Sequence, residues 1–380
     1  MKLFLVAGEP SGDRLGGAML QGFADIDVAV AAMGVGGPMM AAQGMASLFP
    51  YEELAVMGIA EILPKYRHLK RRIAETARAV AASEAEALVT IDSPDFGLRV
   101  AKLARAANPS LKTIHYVAPS VWAWRPKRAT KMARVIDHVL ALLPFEPPYM
   151  EAAGMSCDFV GHPVVSEPLA TAAEVSAFRS AHGLSEGPVV LVLPGSRGSE
   201  VSRLVPVFGQ ALNGVNASLV LPTLPHTRAT VEQMTGDWTQ PPILVDASDA
   251  VQKRAAFACA DGALAASGTV SLELAANGTP MVIAYDMNWL TRAIMKRAIQ
   301  IDTVTLVNLV SETRVVPEFL AEDCKPDAIR AGLQAILQGD SGQEAAMALT
   351  MERLGRGQEA PGIRAARSIL KVVYPEGGQT

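Results

Sequence analysis

Cysteine is scarce in this chain: Cys157, Cys259 and Cys324 are its only three, far apart in 380 residues. That spacing excludes a disulfide framework and a Cys-rich zinc site, leaving plain core or surface thiols. Long apolar runs are missing too, and no stretch approaches the roughly 18 continuous apolar residues a membrane-spanning helix needs. The apolar start, Met1 to Gly8, is too short for a signal peptide's core plus flanks, and Glu9 and Asp13 follow closely. The expected location is therefore the cytosol. The six histidines are scattered, with no His-x-x-His arrangement, which argues against a catalytic metal. No Gly-x-Ser-x-Gly elbow or Cys-His pairing points to covalent hydrolysis.

What is present is apolar and unevenly charged. Hydrophobic residues make up 50% of the chain and charged ones 19%, so large cores can be filled and general disorder is excluded. At roughly 150 residues per domain, the length corresponds to about two or three domains. The net charge of -4 conceals a basic segment: residues 65–134 carry 15 Lys and Arg against 5 Asp and Glu. A basic segment in an acidic protein suggests an anionic partner, with solvated helix faces as the plainer alternative.

Short runs rich in Val, Ile and Leu recur at residues 2–7, 27–33, 87–91, 113–117, 139–143 and 158–160, with helical patterns such as 66–83 and 98–107 between them. Runs without strict alternation suit strands buried on both faces of a parallel sheet. The pattern pauses near Gly161-His162-Pro163 and restarts at 188–193, 218–221, 243–245, 262–265 and 281–284; from Pro326 onward the chain reads as mostly helical. The fold class is therefore α/β, with a doubly wound parallel sheet in each half and ligands expected at the carboxyl ends of the strands. Two such domains facing each other would form a cleft.

Several strand ends carry chemistry. The first runs into Gly8-Glu9-Pro10-Ser11-Gly12-Asp13, neither a dinucleotide fingerprint nor a P-loop. It is a structural turn, with Ser11 or Asp13 capping the next helix, or a close backbone approach to a ligand. Another ends in Asp92-Ser93-Pro94-Asp95-Phe96, where Asp95 is either a general base or the cap of a helix starting near Phe96. The loop holding Trp122, Trp124, Arg125, Lys127 and Arg128 suits a sugar face and a phosphate, or fills a core edge. In the second half, Pro194-Gly195-Ser196-Arg197 offers backbone N–H groups and a guanidinium to a diphosphate. Ser267-Gly268-Thr269, with Glu273 one helical turn on, suits a nucleotide whose ribose hydroxyls the carboxylate accepts.

Ala7 to Asp13, Ser93 to Phe96, Ala118 to Trp124, Val160 to Pro163, Leu193 to Arg197, and Ser267 to Thr269 with Glu273 follow in this order. On these motifs the chain resembles, over essentially its whole length, the lipid-A-disaccharide synthases. The resemblance implies a GT-B fold of two Rossmann-like domains facing a cleft, with a C-terminal helix returning to the first. Residues 1–165 and about 358–380 would be the acceptor and membrane side, and 166–357 the donor side. The implied reaction is inverting: UDP-2,3-diacylglucosamine and 2,3-diacylglucosamine 1-phosphate give a β-1,6-linked disaccharide and UDP. No cofactor, metal or nucleic acid is implied. The implied setting is the cytoplasmic face of the inner membrane, and a homodimer is left open. Asp95 would be the base, and Gly195, Ser196, Arg197, Ser267, Gly268, Thr269, Glu273 and Asn308 would bind UDP. Ser11, Gly12, Asp13, Trp122, Trp124 and His162 would line the acceptor side. The family commonly has Asn where this chain has Gly97, and Ala where it has Val270.

Membrane contact is expected from the apolar stretch 54–63 with the cations after it, specifically Val56, Met57, Ile59, Leu63, Lys70, Arg71 and Arg72. A second candidate is 289–297; the alternative for both is a buried helix with a solvated basic face. The competing functions are another UDP-sugar enzyme, such as a peptidoglycan lipid glycosyltransferase or a UDP-sugar 2-epimerase, and a non-catalytic lipid-phosphate or nucleic-acid binder.

Overall fold

A computed structural model of the chain describes residues 1–54, 59–184, 187–287, 301–339 and 341–375, with the side chains of 59–65 outside that description. It divides into two compact units, Met1–Ser166 with Gly357–Thr380, and Glu167–Arg356.

The first unit contains β1 (Lys2–Ala7), α1 (Pro10–Asp25), β2 (Ala31–Val35), α2 (Pro38–Ala42), β3 (Ala46–Ser47), α3 (Ile59–Ala82), β4 (Ala87–Ile91), α4 (Pro94–Ala107), β5 (Lys112–Tyr116), α5 (Lys127–Met132), β6 (His138–Ala141), α6 (Pro147–Glu151) and β7 (Ser156–Phe159). Its strands pair in parallel in the order β3-β2-β1-β4-β5-β6-β7. Side chains alternate across the sheet. Phe4 and Val6 share one core with Ile73 and Val80 of α3, Val100 and Ala104 of α4, and Met132 of α5. Leu3, Leu5 and Ala7 share the other with Leu15, Met19 and Phe23 of α1 and with Ala365, Ala366 and Ile369. The second strand starts later than the pattern suggested. Asp27 adopts φ 58° and the N–H of Val28 bonds back to Phe23 O at 2.9 Å, so these residues close α1 instead.

The helix Pro361–Val373 belongs to this unit. Its Ser368 Oγ bonds His138 Nε2 at 2.9 Å and donates to Asp158 Oδ2 at 2.6 Å, and Arg364 donates to Phe159 O at 2.7 Å. The helix crosses α1 where two glycines meet. A Cβ on Gly362 would stand 2.2 Å from Ala18 O, and one on Gly22 2.4 Å from Gly362 C.

The second unit contains α7 (Ala172–Ala181), β8 (Val189–Leu193), α8 (Gly198–Leu212), β9 (Ser218–Thr223), α9 (Pro225–Thr235), β10 (Ile243–Asp246), α10 (Ala250–Ala258), β11 (Gly262–Ala265), α11 (Val270–Asn277), β12 (Met281–Tyr285) and β13 (Glu318–Leu320), followed by helices including Pro326–Leu337 and Glu344–Arg353. Its strands are parallel in the order β10-β9-β8-β11-β12-β13. Val201, Leu204, Val205 and Phe208 of α8 pack on Val190, Val192 and Leu264, with Ile329 and Leu333 alongside. Among the described residues no helix is long and apolar enough to cross a membrane.

The glycine crossing gives a direct test. Gly362→Ala is expected to lower the stability of the chain by about 1–3 kcal/mol, the usual scale of overpacking, read as a lower urea midpoint. An unchanged midpoint would mean that the two helices can part without cost.

Candidate functional site

In both sheets the strand order reverses beside the first strand laid down. In the first, β1 lies between β2 and β4; in the second, β8 lies between β9 and β11. The crevice at such a reversal is where parallel sheets bind ligands. Ala7 pairs with Ile91 and Leu193 with Ala265, so the loops leaving each strand pair emerge together.

In the first unit these are the loops 8–13 and 92–95. Gly12 lies close against the neighbouring strand, since a Cβ there would stand 3.1 Å from Ile91 O, tighter than most side-chain contacts. Asp92 and Ser93 both adopt left-handed backbone, φ 53° and 38°, which non-glycine residues rarely take. Side-chain bonds hold that turn: Asp92 accepts Ser11 Oγ at 2.8 Å and the Ser93 N–H at 2.9 Å, while Ser93 Oγ donates to Glu9 Oε1 at 3.0 Å. The turn starts α4 at Pro94, so Asp95 stands within the first helical turn and is not its cap. Asp95 is exposed and bonds no described residue. Gly97 leaves no room for a side chain: a Cβ would lie 2.9 Å from Thr90 Cβ.

The loop after β5 is also strained, with Val117 at φ 87° and Arg125 at φ 52°. Trp122 is 9% exposed, meets Phe145 edge-on at 5.1 Å, and donates from Nε1 to Glu146 at 3.2 Å. Glu146, itself 3% exposed, also accepts the N–H groups of Leu142 and Leu143. Burial pushes its carboxyl up to about 7 against those hydrogen bonds. Trp124 is half-buried, and the Arg125 guanidinium lies 4.1 Å from its ring centroid. His162 is 9% exposed and accepts the Val164 N–H on Nδ1, and burial pulls its pKa down to about 4. His115, bonded to Thr90, is likewise pulled down to about 4 by burial, with Asp92 opposing.

The second unit holds a cavity of about 380 Å³ at its strand reversal, lined by Gly195 to Arg197, Ser267 to Thr269, Lys253, Phe257 and Glu273 among others. Gly195 at φ 102° and Gly268 at φ 153° turn both loops as few other residues would. Thr269 is the N-cap of α11, so Glu273 sits one turn in, half-buried. Arg197 caps α8 with its side chain 65% exposed and 3.5 Å from Glu200. Two helix N-termini and a guanidinium thus border one cavity, an arrangement that favours a diphosphate.

Four expectations need correction. Asp13 is 2% exposed, and its carboxylate accepts the N–H groups of Gly37, Met39 and Met40 at 2.8–3.0 Å. It fastens α1 to the start of α2 and is not open to an acceptor, nor does Ser11 or Asp13 cap α1. Asn308 is 1% exposed and does not line the cavity; its amide bonds Thr303 Oγ1 and both backbone groups of Val316. Arg72 is bound by two bonds to Glu53 and one to Glu75 and lies over Phe49, so it is not a free membrane cation. The indole of Trp122 is committed to Glu146 rather than presented to a sugar. Sequence reading missed Glu9, Asp92, Glu146 and Lys253. Val56 and Met57 lie outside the described residues, as do the side chains of Ile59 and Leu63 and all of 289–297. Lys70 and Arg71 are exposed. Among the described residues no cluster of three or more His, Cys, Asp or Glu could hold a metal ion.

The family model for lipid-A-disaccharide synthetase matches residues 3–370. The chain belongs to the lipid-A-disaccharide synthase family. It is 60% identical to the lipid-A-disaccharide synthase of Ruegeria pomeroyi over 97% of this chain and 95% of that one. It is 45% identical to that of Rhodospirillum centenum over 98% and 94%. Membership makes it a glycosyltransferase of lipid A disaccharide synthesis, with a UDP-sugar and a lipid phosphate as substrates. The fold is also that of a UDP-GlcNAc 2-epimerase from Neisseria meningitidis bound to UDP-GlcNAc, with TM-score 0.64 over 99% of this chain and 100% of that one. At 11% identity that likeness is one of fold alone, and an epimerase is not the favoured function.

The buried ionisable groups predict a pH profile of stability for this family member. His115 and His162 have folded pKa values of about 4, below the unfolded value near 6.5. Their contribution is present above 6.5 and lost as pH falls toward 4. Glu146, raised from 4.5 to about 7, works in the opposite sense: its contribution is present below 4.5 and lost as pH rises through 7. Thermal midpoints across this range should show Glu146→Gln losing the decline near 7. A variant that keeps the wild-type slope there would exclude Glu146 as its source.

Proposed function

We propose that the cavity of the second unit binds the UDP end of the acylated sugar donor and that Asp95 is the general base toward the acceptor. The donor would be UDP-2,3-diacylglucosamine and the acceptor 2,3-diacylglucosamine 1-phosphate. Asp95 takes the proton of the acceptor 6-hydroxyl as that oxygen attacks the anomeric carbon from the face opposite UDP. The carbon–oxygen bond to UDP breaks, its electron pair leaves with the diphosphate, and a β-1,6 linkage forms with inversion. Arg197 and the N–H groups that open α8 and α11 meet the charge developing on the leaving diphosphate. Glu273 accepts the ribose hydroxyls. The observation that carries this reading is the 380 Å³ cavity in which the Gly195 to Arg197 loop, Ser267 to Thr269 and Glu273 converge at the strand reversal. The exposure of Asp95, free of any described partner, suits a base that must reach substrate.

Asp95→Asn should keep UDP binding and lose turnover by about 10²–10⁴-fold, the usual range of general-base catalysis, measured as UDP release that depends on the acylated acceptor. Arg197→Ala should instead weaken UDP itself by about 1.5–3 kcal/mol. A near-wild-type rate for Asp95→Asn would remove Asp95 from the chemistry.

The same reading has the chain working at the cytoplasmic face of the inner membrane, where its acylated substrates reside. Tyr66, Arg67, Lys70, Arg71 and Arg78 of α3 are exposed, as are Arg99 and Lys102 of α4 and Lys127 and Lys131 of α5, and the three helices cover one face of the first sheet. Each cation near an anionic surface contributes about 1 kcal/mol. Replacing Arg67, Lys70 and Arg71 by Glu should abolish salt-sensitive binding to phosphatidylglycerol vesicles. Equal binding to neutral and anionic vesicles, untouched by salt, would exclude this face as the anchor.

A further inference from the structure

Lys253 belongs to none of the motifs that define the cavity, yet it lines it. It projects from α10, and its Nζ lies 2.5 Å from Glu273 Oε2 on α11. The two side chains are 34% and 27% exposed, so water screens the pair less than it would on an open surface. The ammonium also stands 5.4 Å from the ring centroid of Phe257, one turn further along α10, and Phe257 lines the same cavity. The helix that carries Lys253 is itself fixed. Asp249 caps it by accepting the N–H groups of Val251 and Gln252, and Arg254 pairs with Glu174 of α7. Lys253 is thus presented to the cavity from a braced support.

We propose that Lys253 is a positioning residue for recognition of the ribose in the donor, acting through Glu273. This rests on reading the cavity as the UDP site. A glutamate has three rotatable bonds, and accepting two vicinal hydroxyls requires its carboxylate to face them in one orientation. Lys253 holds Oε2 and leaves Oε1, which bonds no described residue, together with the remaining lone pair of Oε2, to accept the two hydroxyls. The orientation is set before the nucleotide arrives, so less side-chain freedom is lost on binding. The alternative role of the ammonium, a general attraction for the diphosphate, would act whether or not the ribose hydroxyls are present.

The two roles separate in a comparison of UDP with 2′,3′-dideoxy-UDP, measured by calorimetry on the full chain. Wild type should prefer UDP by roughly tenfold or more, the scale of hydrogen bonds to a charged group. Lys253→Gln should lose most of that preference, Lys253→Arg should keep it, and Lys253→Gln added to Glu273→Gln should have little further effect on it. Equal weakening of both ligands in Lys253→Gln, with the preference intact, would overturn the proposal in favour of general attraction. So would wild-type affinity for both. If wild type binds UDP without any preference over the dideoxy compound, the ribose role of Glu273 fails and Lys253 falls with it. If wild type does not bind UDP, the reading of the cavity itself is what fails.

Discussion

Each sheet of this protein begins in its middle. The chain lays down β1, builds outward through β2 and β3, then returns to place β4 against the other edge of β1; β8, β9, β10 and β11 repeat the scheme. Because connections between parallel strands are right-handed, building to the two sides puts the connecting helices on opposite faces. The loops above the first strand and its later neighbour are then left without a helix crossing between them. The paired glycine-bearing and acidic loops of the two units are found there: Gly8 to Asp13 beside Asp92 to Asp95, and Gly195 to Arg197 beside Ser267 to Thr269.

That constraint explains why the sites and the cores make such different demands. Leu3 to Ala7 and Val189 to Leu193 are buried on both faces and tolerate only apolar side chains. Within one or two residues of the last buried position, the backbone must turn sharply. It does so with glycine at 195 and 268, and with Asp92 and Ser93 in a conformation that costs on the order of 1–3 kcal/mol per residue. The Ser11–Asp92 and Ser93–Glu9 hydrogen bonds offset that strain and join the two loops, so the position of Asp95 depends on residues from the very start of the chain.

The strands were legible because Val, Ile and Leu runs have few other interpretations. β3, two exposed residues, and β13, Glu318 to Leu320, escaped because neither carries an apolar run. The glycine-rich loops were legible because their backbone needs show in the residue types themselves. What stayed hidden was partnership. Asp13, Asn308 and Arg72 are polar residues in or near motifs, and only the fold reveals that backbone groups around 37–40 and 316, or the carboxylate of Glu53, already claim them. Glu146 and Lys253 were overlooked for the converse reason. The groups that give them meaning, Trp122 and Glu273, lie 24 and 20 residues away with no spacing rule to connect them.

Partnership also separates the polar residues of the two loop clusters into those whose hydrogen bonds are spent within the protein and those with capacity left over. A buried polar group without a partner is costly, so a loop is most economically fixed by groups whose hydrogen bonds are all made within the protein. Asp13, Asp92 and Glu146 are of that kind, and changing them should disturb geometry before it disturbs chemistry. A group that serves a substrate must instead keep capacity unspent in the free protein and remain accessible. Asp95 is exposed with no described partner, the Arg197 side chain is 65% exposed, and Glu273 keeps one carboxylate oxygen open beside Lys253. The motifs mark which loops matter; the unused hydrogen-bonding capacity within them marks which side chains the substrates would meet.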